Sequence, residues 1–144
     1  MHYGFHHIQL SCPAGSEEAS RRFYVDVLGL TELTKPPALA ARGGCWFCGP
    51  DEHGVEIHLG VEPDFRPALK AHPAVLWGNL ESLCALSERL TAAGFGVTWD
   101  SELRDVPVRR HAGANAPTAP SGMHRFYTRD PHGNRIELMA PVEG

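Results

Sequence analysis

Four side chains could meet as one chemical site in this sequence: His7, His58, His72 and Glu137. Each lies in a stretch that reads as a β-strand; His7, His58 and Glu137 fall on the side opposite their flanking aliphatic residues, while His72 shares parity with Ala74 and Leu76 against Pro73, Val75 and Trp77. In Arg135-Ile136-Glu137-Leu138-Met139, alternation sends Ile136 and Leu138 one way and Arg135, Glu137 and Met139 the other. A carboxylate held mid-strand between apolar neighbours faces solvent or a cavity. Imidazoles and a carboxylate lining a cavity can do acid–base work or bind a divalent metal. Nine histidines in 144 residues make that chemistry the compositional oddity of the chain. His6 adjoins His7, and a one-residue slip would exchange them. His6 shares parity with Ile8 and Leu10, so His7 is the residue expected at the site.

The elements that must position these residues follow from pattern and punctuation. Phe5 to Cys12 alternates as a first strand. Ser16 is placed to cap a helix that carries Ala19, Phe23, Val27 and Leu30 on its core stripe and ends at Gly29. Short strands are expected at 30–35 and 44–48, with a loop at 38–42 between them. A turn cluster at 49–54 leads into a strand at 55–61 that carries His58. A linker spans 62–71, with a helical turn at 65–70. The pattern then restarts: a strand from His72 to Trp77, a helix capped by Asn79 with Leu80, Leu83, Leu86 and Leu90 at helical spacing, Gly94, and a strand at 97–101. A closing hairpin turns at Asp130-Pro131-His132-Gly133-Asn134, where Gly133 and Asn134 are the residue types that best tolerate positive φ.

The order is strand, helix, three strands, twice. Internal repetition of this kind outranks any single motif in deciding fold class. The expected architecture is therefore α+β: two βαβββ modules, about 5–61 and 72–141, forming an eight-stranded open cup within one domain spanning 1–144. A polar, proline-containing insertion at about 102–122 interrupts the second module. It reads either as a tolerated surface insertion or as a lid over the cavity.

Bulk composition narrows the function classes. A net charge of −4 and a pI near 6.1 give no nucleic-acid footprint. No apolar run is long enough to span a membrane, and the N-terminus lacks a signal-peptide pattern. The expectation is a cytoplasmic protein with no nucleic-acid or membrane partner, whose four cysteines are free thiols. Cys45 and Cys48 have CxxC spacing, but on a strand they point to opposite faces and make a poor metal pair.

Phe23-Tyr24-Val25-Asp26-Val27-Leu28-Gly29-Leu30 and Asp130-Pro131-His132-Gly133-Asn134-Arg135-Ile136-Glu137-Leu138 resemble two signatures, FYxxxLGL and DPxGNxIEL. They belong to the vicinal oxygen chelate superfamily of glyoxalases, bleomycin resistance proteins and extradiol dioxygenases. The resemblance covers nearly the whole chain. It implies one divalent metal ion (Zn, Ni, Fe(II) or Mn) bound in the cup, with ligands from the first and last strands of each module. Carried over position by position, those are His7, His58, His72 and Glu137, with Glu137 also a candidate catalytic base. His58 stands where glyoxalase-like members often carry Glu and three-ligand members carry no ligand, so it is either a fourth ligand or a polar cavity wall. Gln9, Ser11, Tyr127, Arg135 and Met139 are candidate pocket residues. The implied function is a metalloenzyme that chelates adjacent oxygens of a small-molecule substrate, of lyase, isomerase or dioxygenase type. The alternative is a metal-free protein of the same fold that sequesters a small molecule or antibiotic. Relatives of this architecture are often homodimers, and a homodimer is expected.

Overall fold

The computed structural model describes residues 4–51, 54–102 and 122–142. The polypeptide divides into two compact units. One comprises the chain up to Pro73 together with Arg129–Arg135, and the other Ala74–Thr128 with the segment from Ile136 onward. Each contains a four-stranded sheet built by the same βαβββ order, as the repeat implied.

In the first unit, β1 (Ile8–Cys12), β2 (Thr31–Leu33), β3 (Cys45–Cys48) and β4 (Glu56–Val61) form a sheet in the order β1-β4-β3-β2. β1 and β4 run parallel, with Gln9 opposite His58; β3 is antiparallel to β4, with Trp46 opposite His58. Alternation sorts the faces as expected. Cys12, Cys45, Phe47, Ile57 and Leu59 are buried together with Phe23, Tyr24, Val27 and Leu28 of the helix, and Tyr24 stacks on Phe47 at 5.0 Å.

That helix departs from an ordinary α-helix. α1 (Glu17–Arg21) continues as a π-helical segment, Arg22–Val27, with Leu28 N–H donating to Phe23 C=O five residues back. Gly29, at φ +76°, takes the left-handed conformation that ends it. Ser16 precedes the helix without capping it through its side chain: its hydroxyl donates backwards to Pro13 C=O at 2.6 Å. Two local expectations fail. Part of the loop expected at 38–42 instead belongs to a short helix α2 (Pro37–Ala40) started by proline at its first position. Residues 65–70 form no helical turn, consistent with Pro67, which lacks the amide a turn would use.

The DPHGN turn completes the first unit. Asp130, only 4% exposed, accepts four hydrogen bonds: Tyr24 O–H at 2.7 Å, the backbone N–H groups of His132 and Asn134 at 2.9 Å each, and Asn134 Nδ2 at 2.8 Å. Asn134 Nδ2 also reaches Ser11 C=O at 2.8 Å. The two signature motifs are thus one hydrogen-bonded clasp. Gly133 takes φ +87°, whereas Asn134 does not use positive φ and serves through its side-chain amide. His132 is held as well. Ser20 O–H donates to Ser16 C=O, so the Ser20 oxygen accepts from His132 Nε2–H at 2.8 Å.

In the second unit, β5 (Ala74–Leu76), β6 (Thr98–Trp99), β7 (Met123–Arg129) and β8 (Arg135–Pro141) follow the order β5-β8-β7-β6. β5 is parallel to β8, with Ala74 opposite Glu137. α3 (Leu80–Ala92) starts in a capping box in which Asn79 Oδ1 accepts from Ser82 N–H and Ser82 Oγ accepts from Asn79 N–H, each at 3.0 Å. Its Leu83, Leu86 and Leu90 are fully buried, while Leu80 stays partly exposed. His72 lies just before β5 rather than in it. The insertion at about 102–122, read as a surface insertion or a lid, lies outside the described residues apart from its end residues.

Candidate functional site

In the first unit the polar face of the sheet carries a column of rings. Trp46 and His58 are cross-strand neighbours, and their rings stack at 4.2 Å and 8°. His7, which precedes β1 and is exposed, stacks on the other face of His58 at 4.0 Å and 14°. His6 meets His7 edge-on, with 2.8 Å between their Nδ1 atoms, and Lys35 Nζ sits 5.9 Å from the centre of the Trp46 ring. Sandwiched in this way, His58 is only 6% exposed. Its Nε2–H donates to Glu56 Oε1 at 2.7 Å, which leaves the lone pair on Nδ1. That hydrogen bond holds the Glu56 carboxyl below its usual range. Gln9, beside His58 in register, is exposed, and Ser11 lies opposite Gly60.

His72 donates from Nδ1 to Lys70 C=O at 2.6 Å. A carbonyl only accepts, so the N–H is on Nδ1 and the lone pair on Nε2. Imidazoles that bind metals are prepared in this way, with one nitrogen tied to an acceptor and the other turned to the ion.

In the second unit, Glu137 is 5% exposed in the middle of β8. Arg125 Nη1 donates to its Oε1 at 2.9 Å, and Tyr127 O–H approaches the same oxygen at 3.5 Å. Arg125 is itself 9% exposed, and its buried Nε–H has no hydrogen-bond partner among the described residues. Tyr127, a candidate pocket residue, thus lies beside Glu137. Arg135 and Met139 share the strand and parity of Glu137.

Three residues of these clusters were not singled out from sequence: Glu56, Trp46 as a stacking partner, and Arg125. The available signal was parity. Glu56 lies two residues from His58 on one strand, and Arg125 two residues from Tyr127 on another, so each shares its neighbour's face.

By type alone, the imidazoles of His7 and His72 and the carboxylate of Glu137 are donors that divalent metals accept. In this structure these groups face protein partners instead, and no group of three or more His, Cys, Asp or Glu placed to hold a metal ion occurs among the described residues. His7 and His58 do not fit as joint ligands in the orientation seen. A metal sits in the plane of each ligating imidazole, about 2.0–2.1 Å from its nitrogen. Two nearly parallel rings 4.0 Å apart cannot both place one ion there.

Comparison with known proteins agrees with the fold. Residues 4–138 match the family model described as the Glyoxalase/Bleomycin resistance protein/Dioxygenase superfamily. A solved structure of a protein from Bacillus anthracis assigned to the glyoxalase family is 37% identical, covering 99% of this chain and 98% of its own, with a TM-score of 0.74. A glyoxalase/dioxygenase from Nostoc punctiforme is 24% identical over 96% of this chain and 90% of its own, with a TM-score of 0.64. The fosfomycin resistance protein FosX from Listeria monocytogenes is 17% identical over 99% and 96%, also with a TM-score of 0.64. At those two identities the likeness is one of fold. No curated protein matches the chain.

Proposed function

The chain belongs to the Glyoxalase/Bleomycin resistance protein/Dioxygenase superfamily, and on that premise we propose that it is a divalent-metal-dependent enzyme acting on a small molecule with adjacent oxygens. The reaction would be of the lyase, isomerase or dioxygenase type. The observation that carries the proposal is Glu137: an acidic side chain buried mid-strand, on the polar face, between the core residues Ile136 and Leu138. Burying a carboxylate is costly unless it is paired, and a chain that needed only a packed strand would place an apolar residue there.

His7, His72 and Glu137 would hold the ion. Zn, Ni, Fe(II) or Mn all suit this set, and any of them, once bound, supplies a Lewis acid that polarises substrate oxygens. The rest falls to the chain's own groups. Arg125 and Tyr127 both engage Glu137 Oε1 and so fix the rotation of the carboxylate. His72 is oriented by Lys70 C=O. Glu137 serves as ligand and is the candidate proton acceptor. Gln9, Ser11, Arg135 and Met139 are the further side chains offered to substrate. The exposed apolar residues Leu69, Leu76 and Trp99 support a homodimer, to be checked by sedimentation.

A second reading draws on Arg125. The guanidinium already neutralises Glu137, so the pair is complete in charge without a metal. That favours a metal-free small-molecule-binding protein of the resistance type. Thermal unfolding with added Zn, Ni, Mn or Fe(II) separates the two. An enzyme of the proposed kind gains about 2.7 kcal/mol of stability at free metal about 100 times its Kd. The gain shrinks below about pH 6, because the ligand is neutral imidazole with a reference pKa near 6.5. A midpoint that no metal moves would establish the binder reading instead.

A further inference from the structure

We propose that His58 is a positioning residue and not a metal ligand: braced by Trp46 and Glu56, it holds the His7 imidazole in a fixed plane for the metal. The inference rests on the metal reading given above and adds a role for three residues that reading does not use.

His7 precedes β1, outside the strand ladder, and is exposed, so the sheet's hydrogen bonds do not fix its ring. The ring is nevertheless ordered against a partner, parallel to His58 at 4.0 Å. His58 is suited to act as that template because it is fixed twice over. One face rests on Trp46 at 4.2 Å and 8°, and its Nε2–H is committed to Glu56 at 2.7 Å. The bracing is written into the sheet, since Trp46 on β3 and His58 on β4 are register partners and Glu56 is two residues from His58 on the same face. The parallel geometry that suits stacking is the geometry that forbids joint ligation. The column therefore assigns one ring to the ion and the other to support. Outer groups that orient a metal ligand typically change affinity by about 10–100-fold when removed.

The test separates a nitrogen ligand from a flat support. Ni(II) binding to wild type, His58→Phe, His58→Ala and His7→Ala is measured by calorimetry, and the His7 ring-proton shifts are measured by NMR in the metal-free proteins. Phenylalanine keeps the plane and removes both nitrogens. The expected result is His58→Phe within about threefold of wild-type affinity, His58→Ala weaker by about tenfold or more, and binding lost in His7→Ala. The His7 shifts should be displaced by ring current in wild type and His58→Phe, and should relax toward exposed-histidine values in His58→Ala. Three results would overturn the proposal: His58→Phe as weak as His7→Ala, which makes His58 a ligand; His58→Ala as tight as wild type; or undisplaced His7 shifts in wild type. A wild type with displaced shifts that binds no nickel would instead sink the metal reading, and the role assigned to the column with it.

Discussion

Two buried carboxylates, seven positions apart, are treated in opposite ways. Asp130, in the first unit, is satisfied without any cation: a tyrosine hydroxyl, a side-chain amide and two backbone N–H groups of its own turn supply four donors. Glu137, in the second, is matched to a guanidinium whose buried Nε–H has no partner among the described residues. The first arrangement leaves no polar group over and serves to join helix, strand and turn. The second carries two desolvated charges and an orphaned donor. That is poor design for stability alone, because a buried ion pair is often matched or exceeded by apolar packing. The residues that announce the superfamily in sequence therefore do folding work at Asp130, while the chemistry we propose falls to Glu137.

The sharpest way to break this comparison is Asp130→Ala. It strands Tyr24 O–H and the backbone N–H of Asn134 in the interior, and with the lost charged hydrogen bonds should cost about 5 kcal/mol, read by urea denaturation. Next comes Arg125→Met, which removes the guanidinium from the buried Glu137 carboxylate and should cost about 3 kcal/mol. The double variant Arg125→Met/Glu137→Leu should recover most of that loss while abolishing any metal response. No double replacement of Asp130 and Tyr24 by apolar residues should recover in this way, because the turn's backbone N–H groups would still lack an acceptor.

Smaller effects sharpen the clasp further. Tyr24→Phe should cost about 1.5–2 kcal/mol at neutral pH, for one hydrogen bond to a charged acceptor. Burial, and then the charge of Asp130, push the Tyr24 hydroxyl well above its ordinary 10.0. A raised pKa means stability that is present below about pH 10 and lost as pH rises, since the unfolded chain ionises there first. Tyr24→Phe should therefore flatten the alkaline limb of the stability profile. The smallest effect is expected from Glu17→Gln. The Gly44 N–H bond holds the Glu17 carboxyl below its usual 4.5, so its contribution is present above that pH and lost as pH falls through the lower folded value. The substitution should flatten the acid limb in a titration of unfolding midpoint.

Much of this was legible in the residues. Alternation assigned Ile57 and Leu59 to the core, and Ile136 and Leu138 likewise, with His58 and Glu137 on the opposite faces, because strand parity is a local property. Asn79 declared its helix start because capping is also local. What escaped depends on partners distant in sequence. The choice of Arg125 as the cation for Glu137 requires the register of β7 against β8. The burial of His58 requires Trp46 from a neighbouring strand and His7 from beyond the end of another. The π-helical segment leaves no mark in composition, since its hydrogen bonds are shifted by one residue without changing which residues are apolar.

The central claim, that Glu137 is kept for a metal while Asp130 is kept for the fold, is tested most directly by elemental analysis of tag-free protein. Wild type and Glu137→Gln would be dialysed against the same trace of Zn, Ni, Mn and Fe(II). About one divalent ion per wild-type chain is expected, by the stoichiometry of a single three-donor site, and close to none in a folded Glu137→Gln. Equal metal in both proteins, or none in the wild type, would contradict it.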